Sequence, residues 1–317
     1  MKAGLIGYGS IGKRHVANLL SLGIADITLL RTEGSGNEHN LREIHDPGEF
    51  MAMPFDFVVV SNPTTCHYST IMPLIRSGMN LLVEKPVVFT SREADELESL
   101  LGTYAGRGMV AYNMRFHPCI AVIRDIINEG LLGRPLSARL FVGQYLPDWR
   151  PGTDYRTGVS ALKSLGGGVV LELIHEIDLA IHLFGEPVAP PKSLALKISG
   201  LETETEDISE IIYLSERNTL VSVHQDYLSR TYRRTISISG EEALLLCDLK
   251  DARVTVTGKD GSVIRELNPP FVRNDMYLSI MTYYTGCLTK GTEPEPSLEE
   301  SLISLRLALR VKEDNNL

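Results

Sequence analysis

At 317 residues the chain exceeds the usual size of a single hydrophobic core, so two domains are expected. It is 43% hydrophobic and 22% charged, with a formal net charge of −9, a soluble globular balance that argues against nucleic acid as a partner and favours a cytoplasmic protein. No apolar run approaches a membrane span, and Cys66, Cys119, Cys247 and Cys287 lie far apart with no C-x-x-C, so neither a membrane anchor, a zinc site nor a disulfide framework is expected.

The chain enters an apolar strand at once, Ala3–Ile6, which leaves no room for a signal peptide. Gly7-Tyr8-Gly9-Ser10-Ile11-Gly12 follows, then an amphipathic helix to about Leu22. This is G-x-G-x-x-G in its proper context, strand before and helix after. Gly7 permits the tight turn, Gly9 lets the backbone approach a pyrophosphate, and Gly12 allows close helix–strand packing. Ser10 and Ile11 open the helix, whose amide donors and dipole favour phosphate. A second strand, Ile27–Leu30, runs out into Arg31 and Thr32, where NAD-binding chains usually place an acid for the ribose hydroxyls. Arg31 can pair with a 2′-phosphate and Thr32 can hydrogen-bond to it, which favours NADP. Glu33 could swing to the ribose instead, so NAD is the alternative.

Phe57–Val60 is a continuous apolar run, as expected of a strand buried on both faces. It leads to Ser61-Asn62-Pro63-Thr64-Thr65-Cys66-His67 and a helix over Ser69–Ser77. Leu81–Val83 is a strand that stops at Glu84-Lys85-Pro86, because proline cannot donate to a sheet ladder. In an open parallel sheet the loops after the carboxyl ends of strands face the ligand crevice. Lys85, beside a carboxylate, is therefore a candidate acid/base group, since burial lowers a lysine pKa. The competing reading is a solvated Lys-Pro turn. Ser91–Leu101 reads as a helix capped by Ser91, and Met109–Tyr112 as a strand running into Asn113-Met114-Arg115-Phe116-His117-Pro118. Alternating strands and helices predict a parallel, doubly wound sheet.

GYGSIG, SNPTTCH with His67, VEKP with Lys85, YNMRFHP with Arg115 and GGGVVLELIHEID span positions from about 5 to 185. In order and spacing this set resembles the glucose–fructose oxidoreductase and inositol dehydrogenase family, Gfo/Idh/MocA. The resemblance implies an α/β fold with an N-terminal Rossmann domain, placed at 1–118, and a C-terminal α+β domain with an open, mostly antiparallel sheet, placed at 119–317. It also implies a nicotinamide cofactor, a sugar or cyclitol substrate and a Lys-Pro bond that is often cis. The candidate cofactor-binding residues are then Gly7, Gly9, Ser10, Ile11, Gly12, Arg31, Thr32, Ser61, Asn62, Pro63, His67, Glu84, Lys85, Pro86, Asn113 and Arg115.

Further on, Cys119–Asn128 reads as a helix closed by Gly130, and Pro135–Tyr145 as a strand. Leu146–Lys163 has no clean period but holds Asp148, Trp149, Arg150, Asp154, Tyr155 and Arg156. Such a loop either contacts substrate or lies on the surface with Trp149 as its anchor. Gly166-Gly167-Gly168 opens a helix to about Phe184, on which Glu172, His175, Glu176, Asp178 and His182 fall within about half the circumference. A solvated face is the default explanation. The family pattern instead turns a carboxylate and a histidine of this helix towards the substrate beside the lysine. That pattern commonly has Asp four residues before His, whereas here Glu172 precedes His175 by three. The alternative register puts Glu176 in the histidine's place, and His175 is preferred because imidazole titrates nearer neutrality. Asp178 and His182 are spaced i,i+4 without a third ligand, so no metal is expected.

From Ser193 to Leu267 the chain alternates and turns through Ser193–Ser199, Ile208–Leu214, Thr219–Asp226, Arg234–Ser239, Leu244–Cys247 and Arg253–Val256, an antiparallel meander. One face packs on helices. The other is left apolar and open, which predicts a homodimer or homotetramer through the C-terminal sheet. Pro296-Ser297 caps a final helix, Leu298–Val311.

The chemistry expected is hydride transfer between nicotinamide and a carbinol or ketone of a sugar. Lys85 hydrogen-bonds the reacting oxygen, His175 accepts or relays the proton, and Glu172 orients one of them. Trp149, Arg150, Tyr155, Arg156, Tyr227 and Arg233 join these three as candidate substrate contacts. Arg150, Arg156, Arg230, Arg233 and Arg234, interleaved with Tyr155, Tyr227 and Tyr232, favour an anionic or nucleotide-linked sugar. The competing reading pairs these arginines with the chain's surplus carboxylates. Three other classes remain as rivals: a redox-neutral glycosidase or epimerase that keeps its cofactor, an NAD(P)-sensing regulator, and a structural subunit. Lys85 with His175 argues against the sensor, and the intact glycine loop against the structural subunit.

Overall fold

A computed structural model describes residues 1–32, 34 and 36–317, and Glu33 lies outside the described residues. The chain divides into two compact units, Met1–Asn113 with Arg273–Leu305, and Met114–Val272 with Arg306–Leu317.

The first unit begins with β1 (Lys2–Ile6), α1 (Ser10–Ser21), β2 (Asp26–Leu30), β3 (Arg42–Ile44), α2 (Pro47–Met51), β4 (Phe57–Val60), α3 (Thr64–Arg76), β5 (Leu81–Val83), α4 (Ser91–Leu101) and β6 (Gly108–Val110). All six strands pair in parallel, in the order β3-β2-β1-β4-β5-β6. The order reverses between β1 and β4, the switch point at which open α/β sheets bind ligands. Every residue of β4 and β5 is buried, which matches their unbroken apolar runs. Two helix starts differ from the sequence reading. Helix α3 starts at Thr64 rather than Ser69 and so includes His67. Thr90, not Ser91, caps α4: its hydroxyl accepts the Glu93 amide, and the Glu93 carboxylate accepts the Thr90 amide, a reciprocal capping box.

The second unit carries α5 (Pro118–Asn128), β7 (Pro135–Gly143), α6 (Val169–Glu172), α7 (His175–Phe184), β8 (Lys192–Leu196), β9 (Ile208–Leu214), β10 (Leu220–Asp226), β11 (Arg233–Gly240), β12 (Ala243–Asp248), β13 (Arg253–Gly258) and β14 (Val263–Leu267). The eight strands run β14-β13-β12-β11-β7-β10-β9-β8. The expected meander is interrupted once: β7 slots between β11 and β10 and lies parallel to β10. A reading that starts at Ser193 has no way to place a strand laid down before α6.

In register, Val223, Leu140, Ile236 and Cys247 line one face and are buried, beneath α7 on β10 and β7 and α5 on β13. The opposite face carries Leu194, Ile212, Leu214, Leu220, Leu244 and Leu246, all exposed. Arg273–Leu305, comprising α8 (Arg273–Lys290) and the start of α9 (Leu298–Asp314), rejoins the first unit. There Asn274 donates to Asn18 of α1 (2.8 Å), and Tyr284 donates to the Arg107 carbonyl (3.0 Å) while its ring meets Phe57 edge-on. The Val110 amide donates to Pro296 (3.3 Å), so the run into α9 borders β6, and Ser297 and Glu300 form a second capping box.

One polar cluster interrupts the open apolar face. His224 has Glu210 on Nδ1 (2.6 Å) and Asp226 on Nε2 (2.8 Å), and its ring stacks on Phe141 at 4.5 Å. Burial opposes the ring's charge, but the Asp226 and Glu210 hydrogen bonds outweigh it and raise the His224 pKa above its usual value. A raised folded-state pKa gives stability that is fully present below the unfolded pKa and is lost as pH rises through the folded one. The gap in urea midpoint between wild type and His224→Gln should therefore be widest below about pH 6.5 and narrow as pH rises above it. A gap that stays flat over that rise contradicts the assignment.

Candidate active site

The turn from β1 into α1 works only with glycine. Gly7 sits at φ +92°, and a Cβ there would collide with the Asn62 backbone at the end of β4. A Cβ on Gly12 would collide with the Gly7 carbonyl, which the Ser61 hydroxyl also holds at 2.8 Å. A Cβ on Gly9 would meet nothing within 4 Å, so the backbone of this residue faces open space. No side chain caps α1, which leaves the amides of its first turn, at Ser10, Ile11 and Gly12, facing outward. An uncapped helix end beside a bare glycine backbone fits the pyrophosphate of a dinucleotide.

At the end of β2, Arg31 Nη1 donates to Glu43 (3.0 Å) and to the Gly36 carbonyl (3.1 Å). Its guanidinium lies 5.3 Å from the Tyr8 ring, and Lys13, paired with Glu38 at 3.2 Å, lies 5.5 Å from the same ring. The Asn37 amide, then Arg31, hold the Glu43 carboxyl below its usual pKa. Both cations near the expected 2′-phosphate position thus carry a carboxylate of their own. Thr32 is exposed beside them.

The loops after β4 and β5 are tied together by His67. This ring is buried, with Nδ1 2.8 Å from the Pro86 carbonyl and Nε2 3.0 Å from the Asn62 carbonyl. Burial pushes its pKa down, and the neutral ring has one N–H to donate, so it hydrogen-bonds one of these two carbonyls at a time. Asn62 donates to Thr70 (2.8 Å), Pro63 precedes α3, and Asn113 is buried in the turn after β6. Lys85 is half-buried at the carboxyl end of β5, and the Lys85-Pro86 peptide is cis. Glu84 accepts the Lys85 amide at 3.3 Å and lies 2.8 Å from His15 of α1. The sequence reading passed over His15. Its signal is position, a polar residue on the buried stripe with Val16 and Leu19.

In the second unit the single helix expected from Gly166 to Phe184 is broken. Gly168 has φ +110° and leaves room for the buried Glu206 carboxylate, which accepts the Val170 amide and fixes the start of α6. The chain then turns at Leu173-Ile174 before α7 begins at His175. Arithmetic at 100° per residue does not cross that turn, so Glu172 and His175 take their directions from two helices.

Three carboxylates of this region have different partners. Glu172 accepts the Ser160 hydroxyl at 2.7 Å. Glu176 is 1% exposed and grips Arg234 through both oxygens, at 2.5 and 2.9 Å. Asp178 is equally buried and grips Arg115, at 2.8 and 2.7 Å. Removing one member of such a buried pair leaves an uncompensated charge, at a cost of about 3–5 kcal/mol. Glu176 is thus engaged inside the unit, while His175 is half-buried at the first position of α7. His182 is pushed down to about 4, by burial first and then by the charge of Arg115.

The 146–165 loop folds into four short 3-10 turns. Trp149 donates to the Gln144 carbonyl (3.1 Å) and meets Tyr227 edge-on at 5.2 Å. Tyr227, expected among the substrate contacts, has no exposed surface and instead backs Trp149. The Tyr155 hydroxyl accepts the Glu202 amide. Of the five arginines, Arg156 pairs with Asp154 (2.8 Å) and Glu202 (3.2 Å), and Arg234 with Glu176, as the competing reading expects. Arg230 lies over Tyr145 (3.8 Å), Arg233 over Phe141 (4.8 Å), and Arg150 is exposed. Among the described residues no cluster of three or more His, Cys, Asp or Glu could hold a metal ion, and no helix is long and apolar enough to cross a membrane.

Comparison with known proteins bears on this arrangement. Residues 1–112 match a family model described as the Gfo/Idh/MocA oxidoreductase family with an NAD-binding Rossmann fold, and residues 120–264 match the Gfo/Idh/MocA C-terminal domain. The chain is 23% identical to D-apiose dehydrogenase of Paraburkholderia graminis, over 96% of this chain and 85% of that protein. It is 28% identical to the NADP(+)-dependent scyllo-inositol 2-dehydrogenase of Bacillus subtilis, over 64% of this chain and 57% of that protein. The solved structure of UDP-N-acetylglucosamine 3-dehydrogenase from Acidithiobacillus ferrooxidans superposes with a TM-score of 0.80 at 18% identity, covering 99% of this chain and 97% of that one. The two family models take in the whole parallel sheet and nearly all of the eight-stranded one, each with its own candidate residues, and the chain belongs to the Gfo/Idh/MocA family of oxidoreductases.

Proposed function

We propose that the protein is an NAD(P)-dependent sugar dehydrogenase that transfers hydride between nicotinamide and a carbinol or ketone carbon. The observation that carries this reading is the occurrence, in one unit, of an uncapped glycine turn and of Lys85 at the carboxyl end of β5. When bound, the nicotinamide supplies the carbon that accepts or gives the hydride. The first-turn amides of α1 hold the pyrophosphate. Lys85 hydrogen-bonds the reacting oxygen, His175 takes its proton, and Glu172, fixed by Ser160, orients that exchange. In this division of labour residues 1–118 bind the dinucleotide, while 119–317 bind the sugar and join subunits, with Arg273–Leu305 packed on the first unit.

Lys85→Ala should abolish turnover while leaving the melting temperature nearly unchanged. His175→Ala should slow the rate by roughly two to four orders of magnitude, the range for a general base. A mild His175→Ala beside a folded but inactive Glu176→Ala would reverse the assignment. A redox-neutral glycosidase or epimerase is separated by whether added cofactor is consumed in step with the sugar.

For the cofactor, NADP is preferred over NAD. Arg31 spends one nitrogen on Glu43 and Gly36, and its fork has further donors for a 2′-phosphate, with Thr32 next to it. NADPH should bind more tightly than NADH in fluorescence titrations at fixed ionic strength. Arg31→Ala should weaken NADPH by about 1–3 kcal/mol more than NADH. Equal affinities, or tighter NADH, would mean that the carboxylates around Arg31 govern the pocket.

For the substrate, the reading is an anionic sugar, nucleotide-linked or carboxylated. Arg150 and Arg230 support it, since neither has a carboxylate partner among the described residues, Arg150 is exposed and Arg230 lies over the Tyr145 ring. A neutral sugar is the second reading, favoured by the commitment of Arg156 and Arg234 to carboxylates. With matched neutral and anionic sugars, kcat/KM should favour the anion by roughly tenfold or more and lose that margin in Arg150→Ala or Arg230→Ala. Comparable values that both substitutions leave alone select the neutral sugar. The apolar open face of the eight-stranded sheet supports a homodimer or homotetramer, and the acidic chain with four free cysteines supports a cytoplasmic setting.

A further inference from the structure

His15 is a buried titratable group that the mechanism above does not use. It lies in the second turn of α1, three residues after Gly12, so the rise from the glycine turn to this ring is about 4.5 Å. The residue has no exposed surface. Its Nε2 is 2.8 Å from Glu84 Oε1. Nδ1 has no hydrogen-bond partner among the described residues. Glu84 has two further hydrogen bonds: its amide donates to the Val60 carbonyl (2.9 Å) and Oε2 accepts the Lys85 amide (3.3 Å). A carboxylate oxygen accepts, so the 2.8 Å contact is made when Nε2 carries the donated hydrogen.

We propose that His15 is a positioning residue for Lys85. By donating Nε2–H to Glu84 it ties the loop of the reacting lysine to the helix whose first turn faces the dinucleotide. One helix then sets two registers, that of the cofactor through its N-terminal amides and that of the lysine through its second turn. The proposal rests on the reading of Lys85 as a group that touches the reacting oxygen. A displacement of about 1 Å in such a group costs up to two orders of magnitude in rate, while a bound ground state is less sensitive to it. The tie therefore belongs to kcat and not to affinity.

The test uses the full-length protein with His15→Leu, His15→Gln, Glu84→Gln and the double substitution His15→Leu/Glu84→Gln. Melting temperature, NAD(P)H affinity, KM and kcat are measured for each with an accepted sugar. His15→Leu should lower kcat by roughly 10- to 100-fold while KM and cofactor affinity stay within about threefold. His15→Gln, whose amide can still donate to Glu84, should recover most of that loss. The double variant should be no slower than the slower single, because His15 acts through Glu84. An unchanged kcat in His15→Leu, or losses that multiply in the double variant, would overturn the tie. Should His15→Leu fail to fold, the cycle built with His15→Gln and Glu84→Gln decides by the same rule. The ¹⁵N spectrum of histidine-labelled wild type gives a readout that needs no substrate. A proton on Nε2 of His15 supports the tie, and a bare Nε2 sinks it. A protein that carries that proton but turns over no sugar would instead remove the dehydrogenase reading.

Discussion

The close passage of the end of β1 against the end of β4 is the constraint on which the first unit depends. Gly7 lets the two chains approach because no Cβ stands between it and Asn62, and Gly12 lets α1 fold back over its own entry turn. Ser61 closes the gap with a hydroxyl bonded to the Gly7 carbonyl. With that crossing set, α1 starts at the switch point of the sheet with its first amides uncapped, and the loops after β4 and β5 are pulled into line by His67. Bulk at any of these positions would shift the geometry of an anion site before it touched a ligand.

In the second unit the comparable role falls to buried ion pairs. Glu176–Arg234 and Asp178–Arg115 are both bidentate and nearly closed to water, so each acid is fixed by a cation from another element. Such pairs add little net stability over apolar residues of the same volume, but a lone buried charge is expensive, which makes the arrangement hard to rearrange. Two of the five polar residues of the 172–182 stretch are thereby committed inward. Glu172, held by Ser160, and His175, at the start of α7, are presented by separate helices on either side of the Leu173-Ile174 turn.

Much of this was legible in the residues. The apolar runs of β1, β4 and β5, bounded by glycine, serine and proline, give the parallel sheet and place Lys85 at a strand end without further information. The meander from β8 to β13 follows from alternation and turn residues. What the chain does not advertise is long-range. The insertion of β7 beside β10, the capping of α6 by Glu206 and the pairing of Arg156 with Glu202 each join residues many positions apart, and none leaves a periodic trace. Short elements were also missed, since β3 has three residues and α2 five, too few for a period to show. Helix α8 is a different omission: Met276, Ile280, Tyr284 and Cys287 are spaced as a helical stripe and all are buried.

The central claim is that the carbinol hydrogen of a sugar leaves as hydride to a nicotinamide that is then released. A sugar deuterated at its reacting carbon tests this most directly, with the nicotinamide and the sugar product both analysed by mass spectrometry. The account predicts deuterium on the released, reduced nicotinamide in step with turnover and none in the oxidised sugar at that carbon. Deuterium returned to the sugar product, with no net reduction of added NAD(P), would contradict it.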